Sequence, residues 1–199
     1  MKKLLPLALA LLLLLSSCGT AATEEGPLYK VKNGTFTCSA QELIDSVNNA
    51  TKDSKDFPQL ASLPDNSGSI ETDHSDSTVT FEEYNKDTGI HEIDISESGF
   101  NMKLEEDNGK LCRVKITWIV RSSDSDICAK ADILTSTLLT LLVPNPESVQ
   151  ETISQIKSFE FGNGGSRTGD VDVWYYKSDE TGENWLEITV HNERGELPQ

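Results

Sequence analysis

The chain has 199 residues, with 33 acidic against 17 basic side chains and a formal charge of −16 at neutral pH. So acidic a surface repels phosphate backbones and anionic headgroups, which excludes nucleic acid as a partner. The length suits one domain with a real hydrophobic core.

Met1-Lys2-Lys3 is a compact basic start, and Leu4 to Leu15 is nearly pure Leu and Ala. The run is too short to span a bilayer, for which about 20 residues are needed, and suits the core of a secretory signal. Leu15-Ser16-Ser17-Cys18 closes it. This ending resembles the lipobox of bacterial lipoproteins. The resemblance implies a signal peptide over 1–17, cleavage in front of Cys18 and diacylation of that cysteine. Two fatty chains hold firmly where one binds marginally. The expected location is therefore the cell membrane, lipid-anchored, on the extracytoplasmic side. Residues 18–27 read as a tether and 28–199 as a single domain.

Leu28 to Thr37 contains Asn33-Gly34 and reads as a minor hairpin or an extended arm. The first helix is better signalled. Ser39-Ala40-Gln41-Glu42 is a capping box with Cys38 and Leu43 as a staple, and Ala40, Leu43, Ile44 and Val47 form one stripe. Asp53 to Ser77 is rich in Asp, Ser, Pro, Asn and Gly and is expected as a flexible acidic loop. Asp65, Glu71, Asp73, His74 and Asp76 fall in it without the alternate spacing of a calcium loop.

Four alternating segments follow. Pairing Phe81 with Ile93 and Val79 with Ile95 keeps the faces of the first two strands consistent. Phe100, Met102 and Leu104 alternate on the third strand, and Cys112, Val114, Ile116 and Trp118 on the fourth. A three-residue loop with Gly109 left-handed would set Leu104 opposite Cys112, whereas a two-residue Asn-Gly turn would set it opposite Arg113. The first alternative keeps the apolar face intact. Ser123 to Asp126 supplies caps for a second helix, with Ile127, Ala131, Leu134, Leu138 and Leu141 as its stripe and Leu139 and Leu142 widening it. Asn145 caps a third helix with Pro146 at its first position, and Val149, Ile153 and Ile156 point inward. Gly162 to Gly169 reads as a glycine-rich link. A terminal hairpin spans 171–177 and 184–191.

The expected fold is α+β, mainly antiparallel: a four-strand meander plus the C-terminal hairpin, with about three helices on one face. A helix-plus-sheet unit is used twice, the second copy shortened. This rhythm loosely resembles β-lactamase-inhibitor-like and TATA-binding-protein-like folds, a likeness of shape that carries no function.

Catalytic signals are weak. Gly162 to Arg167 looks like a phosphate cradle but has a helix before it and a strand after it, the reverse of what a phosphate loop needs. Glu82-Glu83, Glu105-Glu106-Asp107, Asp124-Ser125-Asp126 and Asp170-Val171-Asp172 offer carboxylates for a hydrolase, although only proximity across a cleft would make such a pair work. No cofactor motif is present. Zinc is not expected, because there is no C-x-x-C and His74, His91 and His191 are far apart. Cys112 and Cys128 are a candidate disulfide; alternatively Cys38, Cys112 and Cys128 are buried thiols.

The hairpin is more informative. With Val173 opposite Ile188, Tyr176 faces Trp185 and Trp174 faces Glu187, on the side away from the core. Trp174, Tyr176 and Trp185, with His191 on the same face, are the candidate binding residues. Aromatic rings bury much area at little entropic cost and anchor protein interfaces or stack on sugars. The expected function is a non-catalytic binding module for an envelope protein or glycan; the alternatives are an envelope hydrolase and an inhibitory or structural envelope protein.

Overall fold

The computed structural model describes residues 27–54, 57, 59–60, 63, 79–85, 90–97, 100–120 and 125–191, with 79–85 described by their backbone. Cys18 and most of the 53–77 segment lie outside the described residues, as do Ser123 and Asp124.

A small hairpin opens the fold, with β1 (Val31–Lys32) and β2 (Thr35–Phe36) joined by Asn33-Gly34. Both turn residues have positive φ, 56° and 81°, the twist that suits a two-residue hairpin loop. Helix α1 (Ala40–Thr51) starts as the capping box requires. The Ser39 hydroxyl accepts from Glu42 N–H, and the Glu42 carboxylate accepts from Ser39 N–H. A further carboxylate holds this end from across the fold: Ala40 N–H donates to Glu106 Oε1 of the sheet. That bond fixes the helix N-terminus, where a negative charge is favoured, onto the sheet.

The sheet has seven antiparallel strands in the order β3-β4-β5-β6-β9-β8-β7. They are β3 (Val79–Asn85), β4 (Ile90–Glu97), β5 (Phe100–Asp107), β6 (Lys110–Ile119), β7 (Gly162–Thr168), β8 (Val171–Lys177) and β9 (Glu183–Val190). Two meanders therefore meet at β6 and β9, the last strand of each. Helices α2 (Ser125–Leu142) and α3 (Pro146–Ser158) precede the second meander as α1 precedes the first. The chain is an α+β domain built from one helix-plus-meander unit used twice.

One face of the sheet carries the core. Ile93, Ile95, Met102, Leu104, Val114, Ile116, Val173, Leu186 and Ile188 are buried there against Leu43, Ile44, Leu134, Leu138 and Leu139 of the helices. Asn145 caps α3 by accepting from Glu147 N–H, and Pro146 stands at the start of the helix.

Several sequence expectations are corrected. Between β3 and β4, Asn85 pairs with Ile90, so Phe81 stands opposite Asp94 and Glu82 opposite Ile93. The expected pairing is thus off by one residue, and a one-residue slip changes the face of every position. Between β5 and β6 the turn is the two-residue one, with Asn108 at φ 51° and Gly109 at φ 70°. Leu104 nonetheless faces Val114, because a bulge between Glu105 and Glu106 takes up Cys112 as an extra residue. Of the glycine-rich segment 162–169, Gly162–Thr168 is the edge strand β7, not a link. Its glycines admit rings from β8: a Cβ at Gly164 would sit 2.3 Å from the Tyr175 ring, and one at Gly165 would sit 2.5 Å from Trp174.

The Cys112–Cys128 disulfide is not formed, and Cys38, Cys112 and Cys128 are all free thiols. Cys112 sits in the bulge and donates to Glu105 O at 3.2 Å. Cys128 lines a cleft beside Trp118. The six residues along β6 from Cys112 to Trp118 cover about 20 Å, far beyond the reach of a disulfide. Burial pushes the Cys38 and Cys112 thiols up to about 12, so little thiolate forms at ordinary pH. We expect iodoacetamide at about pH 8 to leave both unmodified in the folded chain and to modify both in denaturant. Peptide mass spectrometry reads this out, and fast labelling in the folded chain would contradict the burial of Cys38 or the suppressed thiolate of half-buried Cys112.

Candidate functional site: an aromatic face on the sheet

The face of the sheet away from the helices is set by the same alternation that builds the core. β8 reads Val171, Val173 and Tyr175 inward, and Asp172, Trp174 and Tyr176 outward; β9 sends Leu186, Ile188 and Val190 inward, and Trp185, Glu187 and Thr189 outward. Val173 pairs with Ile188, Trp174 with Glu187 and Tyr176 with Trp185. This is the register read from the sequence, and it gathers the three aromatics on one surface.

Each ring has a defined setting. Tyr176 and Trp185 lie near-parallel, 23° apart with centroids at 5.8 Å. Lys115 of β6 holds its Nζ 4.8 Å from the Trp185 centroid, a favourable cation–π placement. Trp174 leans across Gly165 of the edge strand, in the space a side chain there would fill. All three aromatics are half-buried, so each keeps part of its ring accessible.

Charge surrounds the rings in paired form. Arg113 bridges two carboxylates, Glu105 at 2.9 Å and Glu187 at 2.8 Å. Burial pushes the Glu105 carboxyl up against the pull of Arg113. Asp172 accepts from Arg167 and meets His191 Nδ1 at 2.9 Å. Burial would raise its pKa, but the hydrogen bonds from Arg167 and His191 outweigh that and hold the carboxyl below its usual range. Its contribution to stability is thus present above the usual carboxylate range and lost as pH falls through the lowered value.

His191 belongs to this Asp172 pair and not to the aromatic patch. It follows the far end of β9, six residues and about 20 Å along the strand from Trp185. The structure therefore brings together Trp174, Tyr176 and Trp185 and leaves the histidine apart. Sequence reasoning missed Lys115 and Arg113 as neighbours of the patch. Both were legible as outward residues of their strand; what local patterning does not reveal is that β6 pairs with β9.

No protein-family model, curated protein or solved structure matches this chain. The site is therefore read from its own geometry.

Of the carboxylates named above, Glu105, Glu106 and Asp172 have structural partners, and the side chains of Glu82, Glu83 and Asp124 lie outside the described residues. Glu105 and Glu187 flank a guanidinium, Glu106 holds α1, and Asp172 holds Arg167 and His191. Arg113 draws the Glu105 carboxyl toward its charged form but burial outweighs that pull, whereas Asp172 is held in its charged form below the usual range. Among the described residues no group of His, Cys, Asp and Glu is placed to hold a metal ion, and no helix is long and apolar enough to cross a membrane.

Proposed function

We propose that this chain is a lipid-anchored extracytoplasmic lipoprotein whose sheet face binds an envelope protein or glycan without catalysis. The lipobox ending at Cys18 supports the anchor. The binding reading is carried by one observation: Trp174, Tyr176 and Trp185 meet on the sheet face opposite the helices. A fold needs its apolar residues on the covered face, and a cluster of large rings on the other face adds little to that core. Such rings with a cationic neighbour are the usual anchors of an interface.

Both halves of the reading are open to test. Metabolic labelling with an alkyne fatty acid should mark the chain and fail to mark Cys18→Ser, which should also be lost from the membrane fraction. Labelling of the Cys18→Ser chain would remove the anchor from the account. For the face, the chain with alanine at Trp174, Tyr176 and Trp185 should keep its circular dichroism spectrum and lose its partner.

A further inference from the structure

A cleft of about 460 Å³ opens at the end of β6 remote from the Asn108-Gly109 turn, between α2, the end of α3 and the β8–β9 connection. It lies on no part of the aromatic face. Trp118, Ile156 and Phe161 give it apolar walls, and Phe161 is left 61% exposed at its mouth. Two polar side chains line it although the protein buries them, Thr135 at 6% exposure and Asn184 at 8%. The Asn184 amide donates to Gly182 O at 2.9 Å, so its Oδ1 remains as an acceptor. Neither that oxygen nor the Thr135 hydroxyl has a hydrogen-bond partner among the described residues. Arg113 Nε is the one fully buried unpartnered side-chain N or O atom among the described residues, so these two oxygens open onto the cleft, where they can accept hydrogen bonds beside an apolar wall.

The charge around the cleft selects among donors. Asp132, Glu160 and Asp179 line it and are exposed. Lys177 is held inward, its Nζ donating to Ile156 O at 2.7 Å and Phe159 O at 2.9 Å. Its charge thus sits on the carbonyl end of α3, which carries partial negative charge of its own. Lys157 is the one further cation in the lining. The mouth is net negative on a chain of charge −16, so anions are repelled and cations drawn in.

We propose that this cleft binds a small organic cation, an amine carried on an apolar body, with its N–H groups on Thr135 and Asn184 and its body between Trp118 and Phe161. An ammonium supplies the donors that the two oxygens lack, and an aromatic or aliphatic body covers the exposed ring. This site and the sheet face are independent, and either can fail alone.

The test uses the full chain in zwitterionic nanodiscs, with empty nanodiscs as control. Phenethylamine, phenylethanol and phenylacetate are titrated by calorimetry as cationic, neutral and anionic forms of one shape. Alkylation of Cys128, whose thiol lines the cleft, is followed in parallel by peptide mass spectrometry. Phenethylamine should bind and slow that alkylation, phenylethanol should bind roughly tenfold more weakly, and phenylacetate should not bind measurably. Thr135→Val should weaken the amine roughly tenfold while leaving the denaturation midpoint unchanged, since the hydroxyl holds no other group among the described residues. Failure of phenethylamine to bind would overturn the proposal and leave water as the partner of both oxygens. So would equal or tighter binding of the alcohol or the carboxylate. Amine binding that neither protects Cys128 nor responds to Thr135→Val would place the amine elsewhere and overturn the proposal as well.

Discussion

Leu138→Ala is expected to lower the unfolding free energy by about 3–5 kcal/mol, near the upper end for such truncations. Leu138 is 0% exposed on α2, the helix that packs against α1, α3 and the sheet together. The cost of a truncated core residue depends on how well the site can collapse. Here the walls are fixed: β6 and β9 are paired along their length, and α1 is held to the sheet by Glu106. For a domain whose total stability is about 5–15 kcal/mol, the loss is a large share. Denaturant unfolding should show the midpoint falling with little change in slope. Leu28→Ala, at a side chain 62% exposed, should change stability by no more than about 0.5 kcal/mol. Similar small effects from both substitutions would mean that α2 is not the centre of the core.

Gly164→Val is expected to cost about 2–3 kcal/mol, because the new side chain enters space already filled. A Cβ at this position would lie 2.3 Å from the Tyr175 ring. That ring has little room to move: Tyr175 is buried and meets Phe159 edge to face, centroids 5.0 Å apart. Relief would require β7 to leave β8. Asn163→Val, one residue earlier and on the exposed outward side, should change stability by no more than about 0.5 kcal/mol. The contrast separates a strand from a link, since valine in an unpaired link would be harmless at either position. Denaturation of the two variants beside wild type measures it.

That glycine strand shows where reading the sequence stops. The helices were legible because their signals are local: the Ser39–Glu42 box, the Asn145-Pro146 start and stripes whose members Leu43, Ile44, Leu134, Leu138 and Val149 are all buried. The β8–β9 register was legible because valine and isoleucine alternate on both strands and fix each other. β7 has no such alternation. It is a strand because rings on β8 need its missing side chains, a condition written in residues some ten places away. The bulge at Cys112 was hidden for a related reason. Leu111 and Cys112 are both apolar, so hydrophobicity alone does not say which one is extra. Val79 and Phe81 misled the pairing of β3 in the same way, since being apolar does not fix a side on an edge strand.

The aromatic residues of the candidate site were likewise legible up to the hairpin itself. The alternation along both strands placed Trp174, Tyr176 and Trp185 on one face and in register. Lys115 over Trp185 and the Arg113 bridge depend on β9 lying beside β6. That is a pairing between residues some 70 positions apart. The Thr135 and Asn184 cleft was out of reach for the same reason, being assembled from two helices and three strands.

The central claim is that the outer sheet face binds a partner through its rings. Its most direct test is capture of envelope material by the full chain in nanodiscs, wild type against the Trp174→Ala, Tyr176→Ala, Trp185→Ala triple variant. Circular dichroism and denaturation establish that the variant is folded, and mass spectrometry identifies the captured protein or glycan. The account predicts a defined species held by wild type and lost by a folded variant. Equal capture by both, or capture by neither, would contradict it.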